Sequence, residues 1–394
     1  MGREGPCDEG TSKPQMNDLA MGAFFAQLCS DEALQRKLAG CADPGELADT
    51  LAALGVHAPG ATQLMSISLQ SINQPPVIGI EHAPPRQWLP NRIFSAEDGY
   101  RVEWLHHGFT THGEPFFEMD AAKAAQLPLN LVARCSTPIA SLGPFAMQTQ
   151  PDGLVFHLSR CGSTLVAQML RALDHTVAVP EAPIFDQAMM LFLSGEVEAQ
   201  IVQGVCGALL RDRTGHTQRR FMKLDSWHTP VMPKLSALFP QTKLLFLFRD
   251  PVEVLVSQNA RPGLHARRGG VPLDLFGLPG AEQVADEDYI AWVIAGLARA
   301  ALEAAETPRL MLCDYADLPG AVSERILPHF GIEVSEGERA ALAHTASRNA
   351  KIPTQRFSGD TAMKQAAAGE DMRAIASAQG LPVLYSKLRE AASR

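Results

Sequence analysis

The chain has 394 residues, of which 46% are hydrophobic, and a formal net charge of −9. This composition is sufficient for one large domain, or for a domain with an extra module. The negative balance gives no overall attraction to nucleic acid or to an anionic membrane surface, so neither is predicted as a partner. Any anionic ligand has to be bound by a local cluster of residues.

The cysteines and the amino terminus indicate the compartment. Seven cysteines are scattered without a CxxC pair, which fits a reducing compartment better than a disulfide framework and gives no support for zinc or another metal. The first residues are polar and lack an apolar signal region. The longest apolar runs, such as LLFLF at 244–248, are far shorter than the roughly 18 residues that a membrane span needs. The sequence therefore predicts a cytoplasmic protein.

The first 60 residues divide into a tail and a helical module. Residues 1–18 are predicted to be a disordered tail, and residues 19–60 carry apolar residues at helical spacing. Ser30 and Asp43 are the predicted N-caps of this module. Its segments SDEALQRKL and ADPGELADTLAALGV resemble the leader-peptide family named for a nitrogen-fixation gene cluster. A generic amphipathic helical cap is the alternative.

The next two regions carry fewer signals. Residues 61–92 are rich in proline, with Pro84 followed by Pro85, and are predicted to be a connector without regular structure. Residues 93–150 form an accessory region whose role the sequence does not indicate, with strand-like pieces around YRVEWLHHGF and PFFEMD. The main domain is therefore expected to begin near residue 151.

From residue 151 to the end, strands alternate with helices. The predicted helices include a long one over roughly 187–212 and another through 286–305. This alternation predicts an α/β fold of P-loop-like type, in which helices cover both faces of a parallel sheet. The predicted strands are LVFHL, TVAV, RFMKL, KLLFLFR and RLMLCDY.

A candidate anion-binding turn lies in LVFHLSRCGSTLVAQML, residues 154–170. A buried strand turns through Gly162 into a helix that starts near Ser163, which leaves backbone N–H groups unpaired at the positive end of the helix dipole. Such a turn suits a phosphate or a sulfate. It is not a nucleotide-triphosphatase loop, because G-x-x-x-x-G-K-[ST] is missing.

A second signal lies in LLFLFRDPVEVLVSQ. Arg249 ends a strand, and Ser257 follows eight residues later on the next helix. An arginine at a strand end and a serine on the following helix can converge on one phosphate, the arginine as a bidentate donor.

Together, FHLSRCGSTL and FRDPVEVLVS resemble the two cofactor-binding motifs of the sulfotransferases that use 3′-phosphoadenylyl sulfate, and the resemblance spans roughly residues 150–365. It implies that the first loop holds the 5′-phosphosulfate and that Arg249 and Ser257 hold the 3′-phosphate. The loop residues expected at the phosphosulfate are Arg160, Cys161, Gly162, Ser163 and Thr164.

The resemblance also implies catalytic residues. Glu181, just past the second strand, is the expected base that takes the acceptor's proton, and Asp186 is the reserve candidate. Arg160 and Lys223 are expected to stabilise charge on the leaving phosphate, with His228 competing with Lys223 for this role. A lysine that ends a buried strand otherwise usually extends to solvent.

Two later segments resemble parts of the same family. SRNAKIPTQRFSGDTAMK resembles the carboxyl-terminal loop that closes over the cofactor, although a basic loop is more often simply solvated. The segment RPGLHARRGGVPLDLFGLPG is either a substrate lid or a disordered loop. The candidate phosphate or adenine neighbours in the carboxyl-terminal loop are Arg348, Lys351, Arg356 and Lys364.

The expected activity is transfer of a sulfuryl group from 3′-phosphoadenylyl sulfate to a hydroxyl or amine of a small-molecule or peptide acceptor, with no metal required. A P-loop-type nucleotide-dependent kinase is an alternative, disfavoured by the missing Gly-Lys pair. The other alternative is a non-catalytic peptide-binding protein that uses the amino-terminal module. The sequence does not identify the acceptor.

Overall fold

A computed structural model describes residues 23–24, 26–28, 31–54, 77–109, 113–127, 129–130, 134–352 and 354–394. The predicted tail, residues 1–18, lies outside these ranges, as does the first half of the predicted connector, residues 61–76. The chain divides into two compact units, one formed by the residues up to 108 with 121–141, and the other by 109–120 with 142–394. None of the helices in the described ranges is both long and apolar enough to cross a bilayer.

The first unit contains a four-stranded sheet of order β1-β4-β3-β2. Strand β1 runs parallel to β4, whereas β3 is antiparallel to both β2 and β4. Its core includes the fully buried indoles of Trp88 and Trp104. The elements of this unit are the helices α1 (Glu32–Ala39) and α2 (Pro44–Ala53) and the strands β1 (Val77–Gly79), β2 (Trp88–Ala96), β3 (Gly99–His106) and β4 (Arg134–Pro138).

Helices α1 and α2 each begin at an aspartate cap. The Asp43 side chain accepts hydrogen bonds from the N–H groups of Gly45 and Glu46, as predicted for the second helix. The first helix is capped by Asp31, whose carboxylate accepts from the N–H of Leu34 at 2.9 Å. The predicted cap Ser30 lies outside the described residues.

Two local predictions in this part of the chain are wrong. Strand β2 begins at Trp88, inside the segment predicted as an irregular connector, because Trp88 and Leu89 are fully buried and Pro90 falls where the pairing register shifts. The piece PFFEMD does not form a strand but begins the helix α3 (Phe117–Ala125). The Asp120 carboxylate stabilises this start by accepting from the N–H groups of Gly113 and Glu114.

The second unit confirms the predicted α/β fold. Its five-stranded sheet is parallel throughout, in the order β6-β7-β5-β8-β9, and helices flank it. Its strands are β5 (Gly153–His157), β6 (Thr176–Pro180), β7 (Arg219–Lys223), β8 (Lys243–Phe248) and β9 (Leu310–Asp314). Its helices are α4 (Phe145–Gln148), α5 (Ser163–Arg171), α6 (Pro183–Leu193), α7 (Ala199–Leu209), α8 (Met232–Leu238), α9 (Pro251–Ala260), α10 (Asp286–Glu303), α11 (Leu327–Phe330), α12 (Glu336–Ala346), α13 (Thr361–Ala367), α14 (Glu370–Ala378) and α15 (Leu381–Ala392).

The long helix predicted over 187–212 is in fact two helices, α6 and α7. Gly195 follows the first of them with φ of +81°, a left-handed conformation that ends a helix at little cost only for glycine. The predicted helix through 286–305 is confirmed as α10.

The parallel arrangement puts the carboxyl ends of all five strands on the same side of the sheet. Central strand β5 is buried along its whole length, as expected when both faces of a sheet are covered. His157 ends β5, Pro180 ends β6, Lys223 ends β7 and Phe248 ends β8. Ligands of such sheets bind beyond these carboxyl ends, so the residues just after the strands form the candidate site.

Candidate functional site

The turn between β5 and α5 has an unusual backbone. Ser159, Arg160 and Gly162 have positive φ angles of 76°, 50° and 81°. A Cβ atom at Gly162 would come within 2.9 Å of side-chain carbons of both Tyr315 and Leu318, so only glycine fits there. Gly162 is also the N-cap of α5, and it provides no side-chain hydrogen bond to the first turn. The start of this helix is therefore suited to an external anion.

The predicted loop residues differ in what their side chains can contact. Arg160 donates from Nη2 to the carbonyl of Arg261 at 2.6 Å. Cys161 is fully buried and donates its thiol to the carbonyl of Leu247 at 3.2 Å, and burial raises the pKa of this thiol to about 12. Cys161 can thus contribute to ligand binding through its backbone N–H group and not as a thiolate. The side chains of Ser163 and Thr164 are buried at the start of α5.

Glu181 lies directly after β6 and faces two basic side chains. Its N–H group donates to the carbonyl of Lys223 at 2.7 Å, and its own φ is +44°. Oε1 forms an ion pair with Lys223 Nζ and lies 3.2 Å from His157 Nε2. Burial favours the neutral carboxyl, but the charge of Lys223 and the hydrogen bond to His157 outweigh it and hold the pKa of Glu181 below its ordinary value.

Lys223 does not extend to solvent, because only 1% of its side chain is exposed. Besides the pair with Glu181, its Nζ lies 5.7 Å from the centre of the Phe116 ring. The buried ammonium of Lys223 is therefore held at the carboxyl end of β7 by the carboxylate of Glu181 and the ring of Phe116.

Asp186, the reserve candidate, belongs to a second buried group. It shares a side-chain hydrogen bond with Asp225, and burial raises the pKa of Asp186 to about 8 and the pKa of Asp225 well above its ordinary value. His228 Nε2 lies 3.5 Å from Asp186 Oδ1. Burial lowers the pKa of His228 to about 3, so its ring is neutral near neutral pH. Because the pKa values of both Asp186 and Asp225 are raised, the pair shares a proton under the same conditions.

Arg249 is bound to residues from three other parts of the chain. Its Nε donates to Glu253 Oε2 and its Nη2 to Asp360 Oδ1, both at 2.6 Å. The guanidinium also stacks on Tyr315, with Cζ 4.0 Å from the ring centre. Arg249 Nη1 reaches the carbonyl of Arg160 at 3.5 Å, which places Arg249 beside the first loop. The pKa of Arg249 is raised despite burial, because Asp360 and Glu253 stabilise the charged form.

Ser257, the predicted partner of Arg249, makes a different contact. Its hydroxyl donates to the carbonyl of Glu253 at 2.9 Å, one turn back along α9. The structure therefore brings Arg249 to the first loop but gives Ser257 a hydrogen bond within its own helix.

The four basic candidates of the carboxyl-terminal segment divide into two pairs. Lys351 Nζ lies 5.9 Å from the Phe116 ring centre, and burial, together with the charges of Arg160 and Lys223, lowers its pKa to about 8. Lys364 forms an ion pair with Asp360 at 2.6 Å and so reaches Arg249 through that carboxylate. By contrast, Arg348 and Arg356 pair with each other through a backbone bridge.

The predicted lid contacts the first loop through a chain of hydrogen bonds. Gln258 Nε2 donates to the Ser159 hydroxyl at 2.7 Å, and its Oε1 accepts from the N–H of Gly263 at 2.7 Å. His265 lies 3.3 Å from both Gln258 Nε2 and the Ser226 hydroxyl. The segment is anchored by Phe276, which is fully buried.

Sequence reasoning missed several residues of the site, among them His157, Asp225, Glu253 and Asp360. His157 had a usable signal, because it is a polar side chain in an otherwise apolar strand two residues before the loop. Asp360 gave none, because it is 111 residues from Arg249 and lies in a polar segment.

No family model and no curated protein matches the chain. Among solved structures, it is similar to the sulfotransferase domain from the curacin biosynthetic pathway, with 15% identity, a TM-score of 0.35, and coverage of 59% of this chain and 98% of that chain. It is also similar to the sulfotransferase domain of the Synechococcus olefin synthase, with 18% identity, a TM-score of 0.34, and coverage of 57% of this chain and 88% of that chain. A third similar structure is a Mycobacterium tuberculosis sulfotransferase, with 17% identity, a TM-score of 0.30, and coverage of 58% of this chain and 78% of that chain. None of these matches supports the leader-peptide resemblance, and at such identities and TM-scores they assign no activity to this chain.

Proposed function

We propose that the protein is a sulfotransferase that moves a sulfuryl group from 3′-phosphoadenylyl sulfate to a hydroxyl or amine of a small-molecule or peptide acceptor. One observation carries this proposal. A helix start without a side-chain cap, a buried Lys223–Glu181 pair and an arginine beside the loop all lie at the carboxyl edge of one parallel sheet. An anion-binding turn, a base and two cations are the groups that sulfuryl transfer requires.

The loop fits the phosphosulfate end of the donor. Gly162 allows the backbone to lie against Tyr315 and Leu318, and the first N–H groups of α5 can then donate to anionic oxygens. Arg160 can add its guanidinium to the ligand if its hydrogen bond to the carbonyl of Arg261 is replaced by one to the phosphosulfate. We assign Arg249 to the 3′-phosphate of the same molecule, and its position 3.5 Å from the carbonyl of Arg160 supports this assignment.

Glu181 is better suited than Asp186 to act as the base. Its pKa is held below the ordinary value, so it is ionised at neutral pH, whereas Asp186, with a pKa of about 8, shares a proton with Asp225. The low pKa also makes Glu181 a weak base while Lys223 is paired with it. When Lys223 turns to the bridging oxygen of the leaving phosphate, Glu181 loses its counter-ion and becomes more basic.

The bond changes follow from this arrangement. The acceptor oxygen or nitrogen forms a bond to sulfur, the bond from sulfur to the bridging oxygen breaks, and adenosine 3′,5′-bisphosphate leaves. Glu181 takes the acceptor's proton, while Lys223 and Arg160 stabilise the negative charge on the leaving phosphate. Lys223 is favoured over His228 for this role, because the His228 ring is neutral and fully buried.

The activity can be tested without knowing the acceptor. The protein is incubated with sulfur-35-labelled 3′-phosphoadenylyl sulfate and a metabolite and peptide extract, and products that gain one sulfuryl group are identified by mass. The matched control is Glu181→Gln, which keeps the shape but lacks the basicity of the carboxylate. Label that enters an acceptor with the wild type but not with Glu181→Gln supports the proposal. Labelling by neither protein contradicts the proposed function, and equal labelling by both rejects Glu181 as the base.

A further inference from the structure

His157 is held at both ring nitrogens. It ends β5 and is only 5% exposed. Its Nδ1 accepts a hydrogen bond from the N–H of Ser159 at 3.0 Å, and its Nε2 lies 3.2 Å from Glu181 Oε1. The ring therefore connects the first residue of the anion-binding loop with the carboxylate assigned as the base.

These two contacts fix which nitrogen carries the proton. A backbone N–H group can only donate, so Nδ1 of His157 must be the unprotonated acceptor. In a neutral ring the proton is then on Nε2, which donates to Glu181. Burial and the charge of Lys223 lower the pKa of His157 and keep the ring neutral.

Both partners of His157 have strained backbones. Ser159 has φ of +76° and Glu181 has φ of +44°, although neither is glycine. Such conformations persist only where the surroundings impose them, and they cluster at functional sites. His157 contributes to the constraint at Ser159, because its Nδ1 accepts from that backbone N–H, whereas its contact with Glu181 is to the side-chain carboxylate.

We propose that His157 is a positioning residue for Glu181. Its Nε2–H and Lys223 both bind Oε1, which orients the carboxylate so that Oε2 receives the acceptor's proton. Through Nδ1 the same ring links this orientation to the conformation of the loop at Ser159. The inference rests on the proposed function, since it assumes that Glu181 is the base.

A pH profile of kcat can isolate this role. Without the Nε2–H donor, the carboxylate form of Glu181 is less stabilised, so its pKa rises and the acidic limb of the profile moves to higher pH. The other charged and titratable groups that face Glu181 stay in place in a His157 variant. They are Lys223, Arg160, Asp186, Asp225, His265 and Lys351.

Two substitutions separate positioning from packing. His157→Leu keeps the volume but removes both hydrogen bonds, whereas His157→Gln retains an N–H donor in reach of Glu181. For His157→Leu, kcat should fall by about 10- to 100-fold, the range typical of residues that orient a reacting group. The acidic limb of the kcat profile should move to higher pH in this variant. His157→Gln should recover most of kcat and the original limb.

The control is His329→Leu. His329 Nε2 binds the carbonyl of Leu244, near the start of β8 and at the opposite edge of the sheet, so it should change neither kcat nor the limb. An unmoved limb in His157→Leu overturns the proposal, whether kcat is retained or falls together with folding stability. Failure of His157→Gln to recover activity also overturns it.

Nitrogen-15 NMR of the histidine side chains separates this inference from the proposed function. The expected signal for His157 is a neutral ring protonated at Nε2, and it does not depend on turnover. A ring protonated at Nδ1 contradicts the positioning role even if the protein is a sulfotransferase. If His157 is protonated at Nε2 but the protein neither binds the nucleotide nor transfers a sulfuryl group, the proposed function is rejected. The positioning role of His157 in catalysis is then rejected with it.

Discussion

Arg249 and Asp360 form an ion pair of 2.6 Å between residues 111 positions apart, and Lys364 binds the other oxygen of the same carboxylate. A carboxylate between an arginine and a lysine occupies the place that the 3′-phosphate of the donor is proposed to take. Asp360 therefore competes with that phosphate for Arg249. Ligand binding has to displace this carboxylate or move it aside.

We expect Asp360→Asn to bind adenosine 3′,5′-bisphosphate about two- to fivefold more tightly than the wild type. The reason is that removal of the negative charge releases Arg249 and Lys364 for the phosphate, and partly exposed ion pairs of this kind are worth about 1 kcal/mol or less. Titration calorimetry measures the effect. Asp371→Asn, an exposed carboxylate on the next helix, is the matched control and should leave the affinity unchanged. Weaker binding by Asp360→Asn would show that Asp360 supports the ligand site.

Gly162→Ala tests the close approach at the loop. Alanine at a left-handed φ costs about 1 to 2 kcal/mol, and here its Cβ also meets Tyr315 and Leu318. Gly195→Ala is the matched control, because φ is again +81° but no atom lies within 4 Å of the added Cβ. Urea unfolding should show a larger loss for Gly162→Ala, and calorimetry should show weaker binding of adenosine 3′,5′-bisphosphate in this variant alone. Equal losses of stability in Gly162→Ala and Gly195→Ala would show that the contacts with Tyr315 and Leu318 add no free-energy penalty at Gly162.

Glu181→Gln is expected to reduce kcat by about 10²- to 10⁴-fold, because the amide keeps the shape and reach of the carboxylate but cannot take a proton. The affinity for the donor should stay near the wild-type value. Steady-state kinetics with one acceptor, and calorimetry with adenosine 3′,5′-bisphosphate, measure the two quantities. Asp186→Asn is the paired variant and should retain most of kcat. A Glu181→Gln enzyme that keeps most of its kcat would reject the assignment.

The pair of Asp186 and Asp225 should make stability depend on pH. Burial raises the pKa of Asp186 from 3.8 to about 8, so the folded state binds its proton more tightly than the unfolded state. This contribution is fully present below pH 3.8 and is lost as the pH rises through about 8. Asp186→Asn should therefore be more stable relative to the wild type at pH 8 than at pH 4.

Asp212 gives a control of opposite sign. Burial opposes ionisation, but hydrogen bonds from Thr217 and Gly215 outweigh it and lower the pKa of Asp212. The loss of stability in Asp212→Asn should be present at neutral pH and fade as the pH falls through that lowered pKa. Chemical unfolding across the pH range measures both variants. If the difference in free energy of unfolding between Asp186→Asn and the wild type does not change with pH, the raised pKa of Asp186 is contradicted.

The parallel sheet could be predicted from the sequence because each of its strands is a short apolar run between helical patterns, as in LVFHL and KLLFLFR. The loop at Gly162 could be predicted for the same reason, since its polar residues lie between an apolar strand pattern and an apolar helix pattern. The order β6-β7-β5-β8-β9 then brought Glu181 and Lys223 together. Their contact depends on neighbouring strands and not on any local pattern.

The partners of Arg249 could not be read in this way. Asp360 reaches it from a polar segment without periodicity, and Glu253 lies on the same helix as the expected partner Ser257. PFFEMD was misread as a strand because its aromatic residues favour strands, whereas the hydrogen bonds that Asp120 accepts from Gly113 and Glu114 involve a turn several residues earlier. Contacts between distant polar segments have no signature in a single sequence.

Arg249 is proposed to bind the 3′-phosphate of the donor, and calorimetry with two nucleotides can test this contact. Adenosine 3′,5′-bisphosphate and adenosine 5′-phosphate, which lacks the 3′-phosphate, are each titrated into the wild type and into Arg249→Ala. The wild type should bind the bisphosphate more tightly, and Arg249→Ala should lose about 2 to 3 kcal/mol of that affinity while its affinity for the monophosphate stays unchanged. Equal affinities of the wild type for both nucleotides, or an equal loss of affinity for both in a folded Arg249→Ala, would show that Arg249 does not bind the 3′-phosphate.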